Sequence, residues 1–484
     1  MKKNIFVLSL LAVTLSFTSC SEDDLNQFPD YGIGLQDGAN PITDATMMKD
    51  VLTAMYQQMS TSNAFGSTIL NVGNVASDEF FVSNNNSGYF LTSSNMSWTP
   101  SNSDFTVAYD ELYDIVAQAN IVINSTIEET ETVKKYKAQA YTARGMAFLY
   151  LAMGWAENPT SGNNQDYGIA IYTGNFDPTV KSARSTVAET YDQIISDLQK
   201  GIDSSNESPS TKSYLSATSA RLLLAKAYLW KGDYAKAIQL ADETLTNAPS
   251  SFSLLTKEGV NDYFYGEANV SEASFENQSE TVWEVALSEL ANPGVNTSMG
   301  VLYDYLEGSA VNERRSILAR KGVYDLYTED DIRKSLFVLD TRNVDDTPGY
   351  FTKKYRKNIG GLNNIANVKV LRLTEAKFIK WEAMAKSGQG AAALSELNVF
   401  AQERGGSTYS GDALTAVLIE KQKEFAGEGH RFYDLKRNNL NIVRATNCSF
   451  NCDVPAGDKL FVFPIPSYSL NVNPNIVQYS GWIN

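Results

Sequence analysis

Apolar residues recur at helical spacing along most of the chain, and the interruptions between these runs are polar and turn-rich. Met48, Val51, Leu52, Met55 and Met59 form one stripe, which predicts a helix over 47–59. Residues 60–103 are dominated by Ser, Asn, Gly and Thr, including Asn84-Asn85-Asn86-Ser87-Gly88, and this composition predicts loop. Helical spacing returns over 108–127, with Leu112, Ile115, Val116, Ala119 and Ile123 on the buried face. A long helix is predicted over 132–155, with small Ala140, Ala143 and Ala147 on one side. After an irregular stretch rich in Gly, Asn and Pro, Val187, Tyr191, Ile194, Ile195 and Leu198 mark a helix over 187–202.

Helices over 217–230 and 234–245 pair across Lys231-Gly232-Asp233. Leu224, Ala225, Tyr228, Gly232, Tyr234, Ala237 and Pro249 sit where a tetratricopeptide repeat places its large, small and terminating residues. A similar pair recurs over 374–386 and 390–404, followed by a helix over 414–425. The repeats are degenerate and unevenly spaced, so the expectation is a helical scaffold with insertions. Residues 250–365 break the pattern with clustered aromatics amid Gly, Asn and Asp, and only 281–286 alternates like a strand. Long ordered loops of this kind are usually functional. The fold class is therefore mostly α. A tetratricopeptide-like scaffold over 41–250 and 366–445 carries a long loop-rich insertion over 250–365 and a few short strands.

Composition narrows the chemistry. The 484 residues carry 40 Lys+Arg against 56 Asp+Glu, a net charge of −16, which excludes affinity built on phosphate neutralisation and hence a nucleic-acid partner. With one histidine, His430, and three cysteines, zinc sites and most Ser–His chemistry are excluded, and neither a cofactor nor a metal is expected. The chain holds 26 Tyr, 22 Phe and 6 Trp, and aromatic faces are well suited to holding a flat, neutral ring. At the start, Lys2 and Lys3 precede an apolar core over 5–17 that is shorter than the roughly 20 residues a membrane span needs. Thr18 and Ser19 follow, then Cys20. This reads as a signal peptide over 1–19, lipidation at Cys20 and a polar tether over 20–40, ahead of one domain over 41–484.

Several segments carry a family resemblance. They are Val370-Leu371-Arg372-Leu373-Thr374-Glu375-Ala376, Ala393-Leu394 with Leu397-Asn398, and the run Glu424 to Arg437 with its E-G-x-R-x-x-D-L-x-R block. The close adds Phe463-Pro464-Ile465-Pro466, Asn473-Pro474-Asn475, Gln478 and Gly481-Trp482. Together with the lipoprotein-like start, the chain resembles the SusD/RagB outer-membrane nutrient-binding lipoproteins of the Bacteroidetes. The acidic run Ser21-Glu22-Asp23-Asp24 likewise resembles the export signal of their surface lipoproteins. The resemblance implies a non-enzymatic lid over a SusC-like TonB-dependent transporter. Such a lid would be lipid-anchored in the cell outer membrane, facing outward, and would capture oligosaccharides or sometimes peptides. Ligand identity does not carry over.

Trp98 lies in a polar loop without a helical stripe, and reads either as a stacking platform for a sugar or as the cover of the loop's own small core. Tyr89, Phe90, Tyr263, Tyr265 and Tyr350 are further aromatic candidates, with Asp78, Asn74, Asn84 and Asn85 as partners for sugar hydroxyls. Trp155, Trp230, Trp283, Trp381 and Trp482 read as structural. Glu428, His430, Arg431, Asp434 and Arg437 form the densest ionisable cluster, and three-residue spacing favours mutual ion pairing over catalysis. Asp78-Glu79, Asp110-Glu111 and Glu329-Asp330-Asp331 could supply paired carboxylates, although neighbouring acids usually mark a solvated surface. Cys448 and Cys452 could form a small-loop disulfide. Two rival readings are a protein-interaction scaffold and a surface glycoside hydrolase.

Overall fold

The computed structural model describes residues 40–204, 209–264, 276–303, 315–355, 362 and 364–483. The leader, Cys20, most of the tether and Tyr265 lie outside the described residues.

Helix α1 (Ala45–Ser60) buries Met48, Val51, Leu52, Met55 and Met59, the stripe its spacing predicts, and Asp44 caps it by accepting from the amides of Thr46 and Met47. The following segment corrects the loop expectation. Residues Thr68–Val75 form helix α2, and all eight are buried, Asn71 and Asn74 included. A helix covered on every side needs no amphipathic stripe, so its sequence carries none. Strand β1 (Phe80–Val82) follows, also fully buried.

Helices α3 (Thr106–Ile123), α4 (Glu131–Trp155) and α5 (Val187–Ser204) pack in succession, and α5 packs on α6 (Ala217–Lys231). Close approach of α4 and α5 depends on Gly145, where an added Cβ would lie 2.8 Å from Leu198 Cγ. Gly232 ends α6 in the left-handed region at φ 84°, and Asp233 caps α7 (Tyr234–Thr246) by accepting from Lys236 N. This turn allows α6 and α7 to fold back on each other.

The insertion supplies short strands: β2 (Thr281–Val285), β3 (Ile317–Ala319), β4 (Phe337–Leu339) and β5 (Tyr350–Thr352), with β6 (Val368–Arg372) just after it. An antiparallel sheet runs in the order β1-β3-β5-β4, with Phe81 opposite Leu318 and Val338 opposite Phe351. A separate antiparallel ladder joins β2 to β6, with Glu284 opposite Lys369. Helix α8 (Thr374–Lys386) packs on α7, α9 (Gly390–Glu403) on α8, and α10 (Ala413–Phe425) on both, which continues the row of helical pairs. Helix α11 (Arg431–Arg437) then leads to a two-stranded ladder, β7 (Ile442–Val443) and β8 (Asp453–Val454), and to the short helix α12 (Ser467–Val472). A disulfide joins Cys448 to Cys452 in the β7–β8 connection, with Cα atoms 5.7 Å apart.

A buried ionic knot joins the insertion to the scaffold. Arg372 at the end of β6 donates to Glu428 at 2.8 Å and to Glu424 at 3.1 Å. Arg333 donates to Asp331, to Glu420 and to Glu424 at 2.6–3.0 Å, and Lys354 to Glu428 at 2.6 Å. Surrounding guanidinium groups hold the Glu424 carboxyl far below the usual carboxylate range despite its burial.

Candidate functional site

Most residues singled out in the sequence are packed or already engaged. Trp98 is 2% exposed, wedged edge-on against Phe105 and Phe463 at 5.3 and 5.4 Å between ring centres. It covers a core rather than offering a platform. Phe90, Tyr263 and Tyr350 are likewise buried. Tyr263 shares a 3.0 Å hydrogen bond with Thr281, and Tyr350 lies face to face with Tyr324 at 4.0 Å. Tyr89 is half-buried against the main core. These aromatics fail as stacking surfaces because neighbouring side chains enclose them: Phe105 and Phe463 close on Trp98, Phe264 and Thr281 on Tyr263, and Tyr324 on Tyr350.

The polar candidates are spent in a similar way. Asp78 receives both prongs of Arg431 at 2.8 Å. Asn74 donates to Tyr303 Oη and Gly427 O and accepts from Gly429 N, pinning the E-G-x-R block to α2. Asn84 is exposed, but its amide nitrogen donates to Asp345 and its side chain to Val344 O. The ionisable cluster is structural, as its spacing implied, with different partners. Glu428 pairs with Lys354 and Arg372, Arg431 with Asp78, and Asp434 with Lys421 and Arg437. Gly427 and Gly429 at φ 82° and 83° break the helix, so three-residue spacing does not bring Glu428 to Arg431. His430 is half-buried, and desolvation with the neighbouring Lys421 and Lys226 holds its imidazole well below the ordinary range.

The capacious opening lies elsewhere. A cleft of about 610 Å³, partly open to solvent, is bounded by α3, the loop over 171–182 and α12. The loop is clipped in place by asparagine side chains. Asn120 of α3 donates to Tyr172 O at 3.0 Å, and Asn124 to Thr173 O at 2.9 Å. Asn473, following α12, donates to Ser182 O and to Tyr172 Oη, and Asn475 donates to Lys181 O. Asn120 is itself fixed by Arg144, which donates to it at 2.7 Å while both its other prongs hold the buried Asp197. The ion pair between α4 and α5 therefore sets one wall of the cleft.

Two aromatic rings stand free in this cleft. Phe176 is 58% exposed on the loop and Tyr468 is 43% exposed on α12. Behind them Tyr109, Tyr113 and Tyr172 meet edge to edge at 4.9 and 5.9 Å, and burial pushes the Tyr109 hydroxyl up to about 12. Asp110 and Asp114 lie one turn apart on α3. Partial burial, with the charges of Asp114 and Glu111 adding to it, raises the Asp110 carboxyl to about 6, and burial raises Asp114 as well. Asp177, exposed on the loop, is held below the ordinary range by the Thr179 hydroxyl and amide. Free ring faces beside carboxylates that accept hydrogen bonds can hold a polyhydroxylated ring: its apolar face stacks and its hydroxyls donate.

Sequence reasoning passed over 171–182 as merely irregular. The signal was present, since Tyr172, Asn175, Phe176 and Asp177 interleave aromatics with turn residues as 84–98 does. Only packing separates the two loops: one folds under and the other stays out.

Comparisons with known proteins agree with the architecture. A family model described as starch-binding and associating with the outer membrane matches residues 36–229, and the SusD family model matches 323–482. A SusD-like protein P2 of Formosa agariphila is 23% identical over 99% of both chains. A solved structure from Bacteroides vulgatus ATCC 8482, described provisionally as sugar-binding, superposes with a TM-score of 0.81 at 26% identity, covering 91% of this chain and 99% of that one. A laminarin-binding SusD-like protein shares the fold at TM-score 0.69 and 20% identity, with 90% and 99% coverage. The two family models take in both ends of the domain and most of its length, and the fold matches throughout; the chain belongs to the outer-membrane-associated SusD family.

Proposed function

We propose that this protein binds a carbohydrate in the cleft between α3, the 171–182 loop and α12, without chemically altering it, and hands it to a SusC-like TonB-dependent transporter. The observation that carries the reading is the pair of free rings, Phe176 and Tyr468, beside carboxylates without an ion-pair partner in a cleft of about 610 Å³. The starch-binding description of the matching family and the sugar- and laminarin-binding descriptions of structural neighbours support the ligand class. No described helix is long and apolar enough to cross a membrane, which accords with attachment through a lipid on Cys20 after removal of residues 1–19. The tether then leaves the domain over 41–484 on the extracellular face.

Affinity gel electrophoresis across a panel of purified polysaccharides tests the function, and Phe176→Ala with Tyr468→Ala tests the site. Retardation by one polymer that is lost in both variants is expected. Retardation that persists in both moves the ligand away from this cleft, and release of reducing ends would turn the binder into a hydrolase. Co-purification of an outer-membrane barrel with the full-length lipoprotein checks the transporter partnership.

A further inference from the structure

We infer that the cleft is selective for uncharged glycan chains and turns away chains bearing carboxylate or sulfate groups. This rests on the cleft being the carbohydrate site.

The lining carries three carboxylates, Asp110, Asp114 and Asp177, against one cation, Lys181. Several acids elsewhere in the molecule are matched by a cation, as Asp78 is by Arg431, Asp197 by Arg144, and Glu424 by Arg372 and Arg333, whereas Asp104 and Glu111 are held by uncharged donors. Among the described residues no salt bridge reaches Asp110 or Asp114. Asp114 has only a long contact of 3.4 Å from the Gln58 amide. Arg184 makes no ion pair with either; its nitrogens donate to the carbonyls of Gly168, Trp155, Tyr167 and Val477.

An unpaired carboxylate at a ligand surface acts in two ways. It accepts strong hydrogen bonds from sugar hydroxyls, which favours a polyol. It also repels an anionic substituent, and the repulsion is strengthened where low-dielectric walls exclude water. A chain with a net charge of −16 adds a long-range field of the same sign. A glycan stacked between Phe176 and Tyr468 lies against the α3 face that carries Asp110 and Asp114, so a carboxylate or sulfate on its rings meets like charge with no cation within the cleft but Lys181.

The test uses the mature chain with amylose, laminarin and β-mannan as probes. Each is presented unmodified, oxidised at its C6 hydroxyls to the uronate, and as the methyl ester of that uronate. For the polymer that retards the protein, oxidation should weaken binding by about tenfold at low salt, since one like charge at close range costs roughly that much. Esterification should restore most of the loss, and 0.5 M NaCl should shrink the difference. In Asp110→Asn/Asp114→Asn the ratio of neutral to uronate affinity should fall toward one, whatever happens to either affinity alone. Equal binding of neutral and oxidised chains, or a ratio unchanged in the double variant, overturns the selectivity and leaves the cleft standing as a carbohydrate site. Retention that Phe176→Ala and Tyr468→Ala do not touch overturns the site itself.

Discussion

Two acidic regions of this molecule behave in opposite ways. Around Arg372, the carboxylates of Glu280, Glu424 and Glu428 converge on one guanidinium and are almost fully shielded from water. Around the cleft, Asp110 and Asp114 share a face with each other and with Glu111 but with no cation. In the first region the cationic partners outweigh desolvation at Glu424 and hold it ionised well below its ordinary range, while at Glu280 burial prevails and raises the carboxyl. In the second, burial and like charge act together and raise Asp110 to about 6. An acid whose charge is matched inside the fold serves the fold, and one left unmatched at an opening is free to serve a ligand.

The sharpest way to break this comparison is to remove the cation from the matched region. Arg372→Met should strand three buried carboxylates and cost about 3–5 kcal/mol of stability or abolish folding, read by urea denaturation at pH 7. A loss below about 1 kcal/mol would mean the knot is not a structural unit. Arg144→Met strands the buried Asp197 in the same manner, at a cost of about 3 kcal/mol. Because it also releases Asn120 from its fixed orientation, this variant should weaken polysaccharide retardation too, which Arg372→Met at a partly populated native state should not do specifically. Trp98→Ala and Phe176→Ala contrast the two loops. The first should lose about 3 kcal/mol of stability through the cavity it leaves. The second should leave the unfolding midpoint unchanged while weakening glycan binding by about 1 kcal/mol.

The smallest effect is a pH signature of the unmatched region. The folded-state value of Asp110 lies above its unfolded value of 3.8, at about 6. Below pH 4 both states keep the proton. Between about 4 and 6 the unfolded chain has released it and the folded one has not, so stability falls as pH rises through 6 and the penalty persists above. Asp110→Asn removes that penalty. Its melting temperature should therefore exceed the wild type's by about 1 °C at pH 7.5, and the gap should close at pH 4, read by scanning calorimetry. A gap independent of pH would place its cause elsewhere.

The amphipathic helices were readable residue by residue. The stripe of α1 and the turn at Gly232-Asp233 lie where spacing and capping chemistry put them, since those signals depend on neighbours three or four residues away. Helix α2 was not readable, because full burial erases the contrast on which periodicity depends. The E-G-x-R block reads as structural, yet apart from the Asp434–Arg437 pair its partners come from outside it: Asp78 beyond α2, Arg372 of β6 and Lys421 of α10. Two glycines at positive φ had broken the local register.

The sequence by itself determined a helical scaffold, the tetratricopeptide-like pairing and the acidic character, which follow from composition and short-range spacing, while its motifs carried the resemblance to the family. Tertiary structure alone decided which aromatic loop faces solvent. Trp98 and Phe176 sit in loops of similar composition, but Phe463 and Phe105 close over the first, while asparagines from α3 and from the segment after α12 hold the second open. Exposure is set largely by partners from 49 to 291 residues away or further, and no local pattern encodes them.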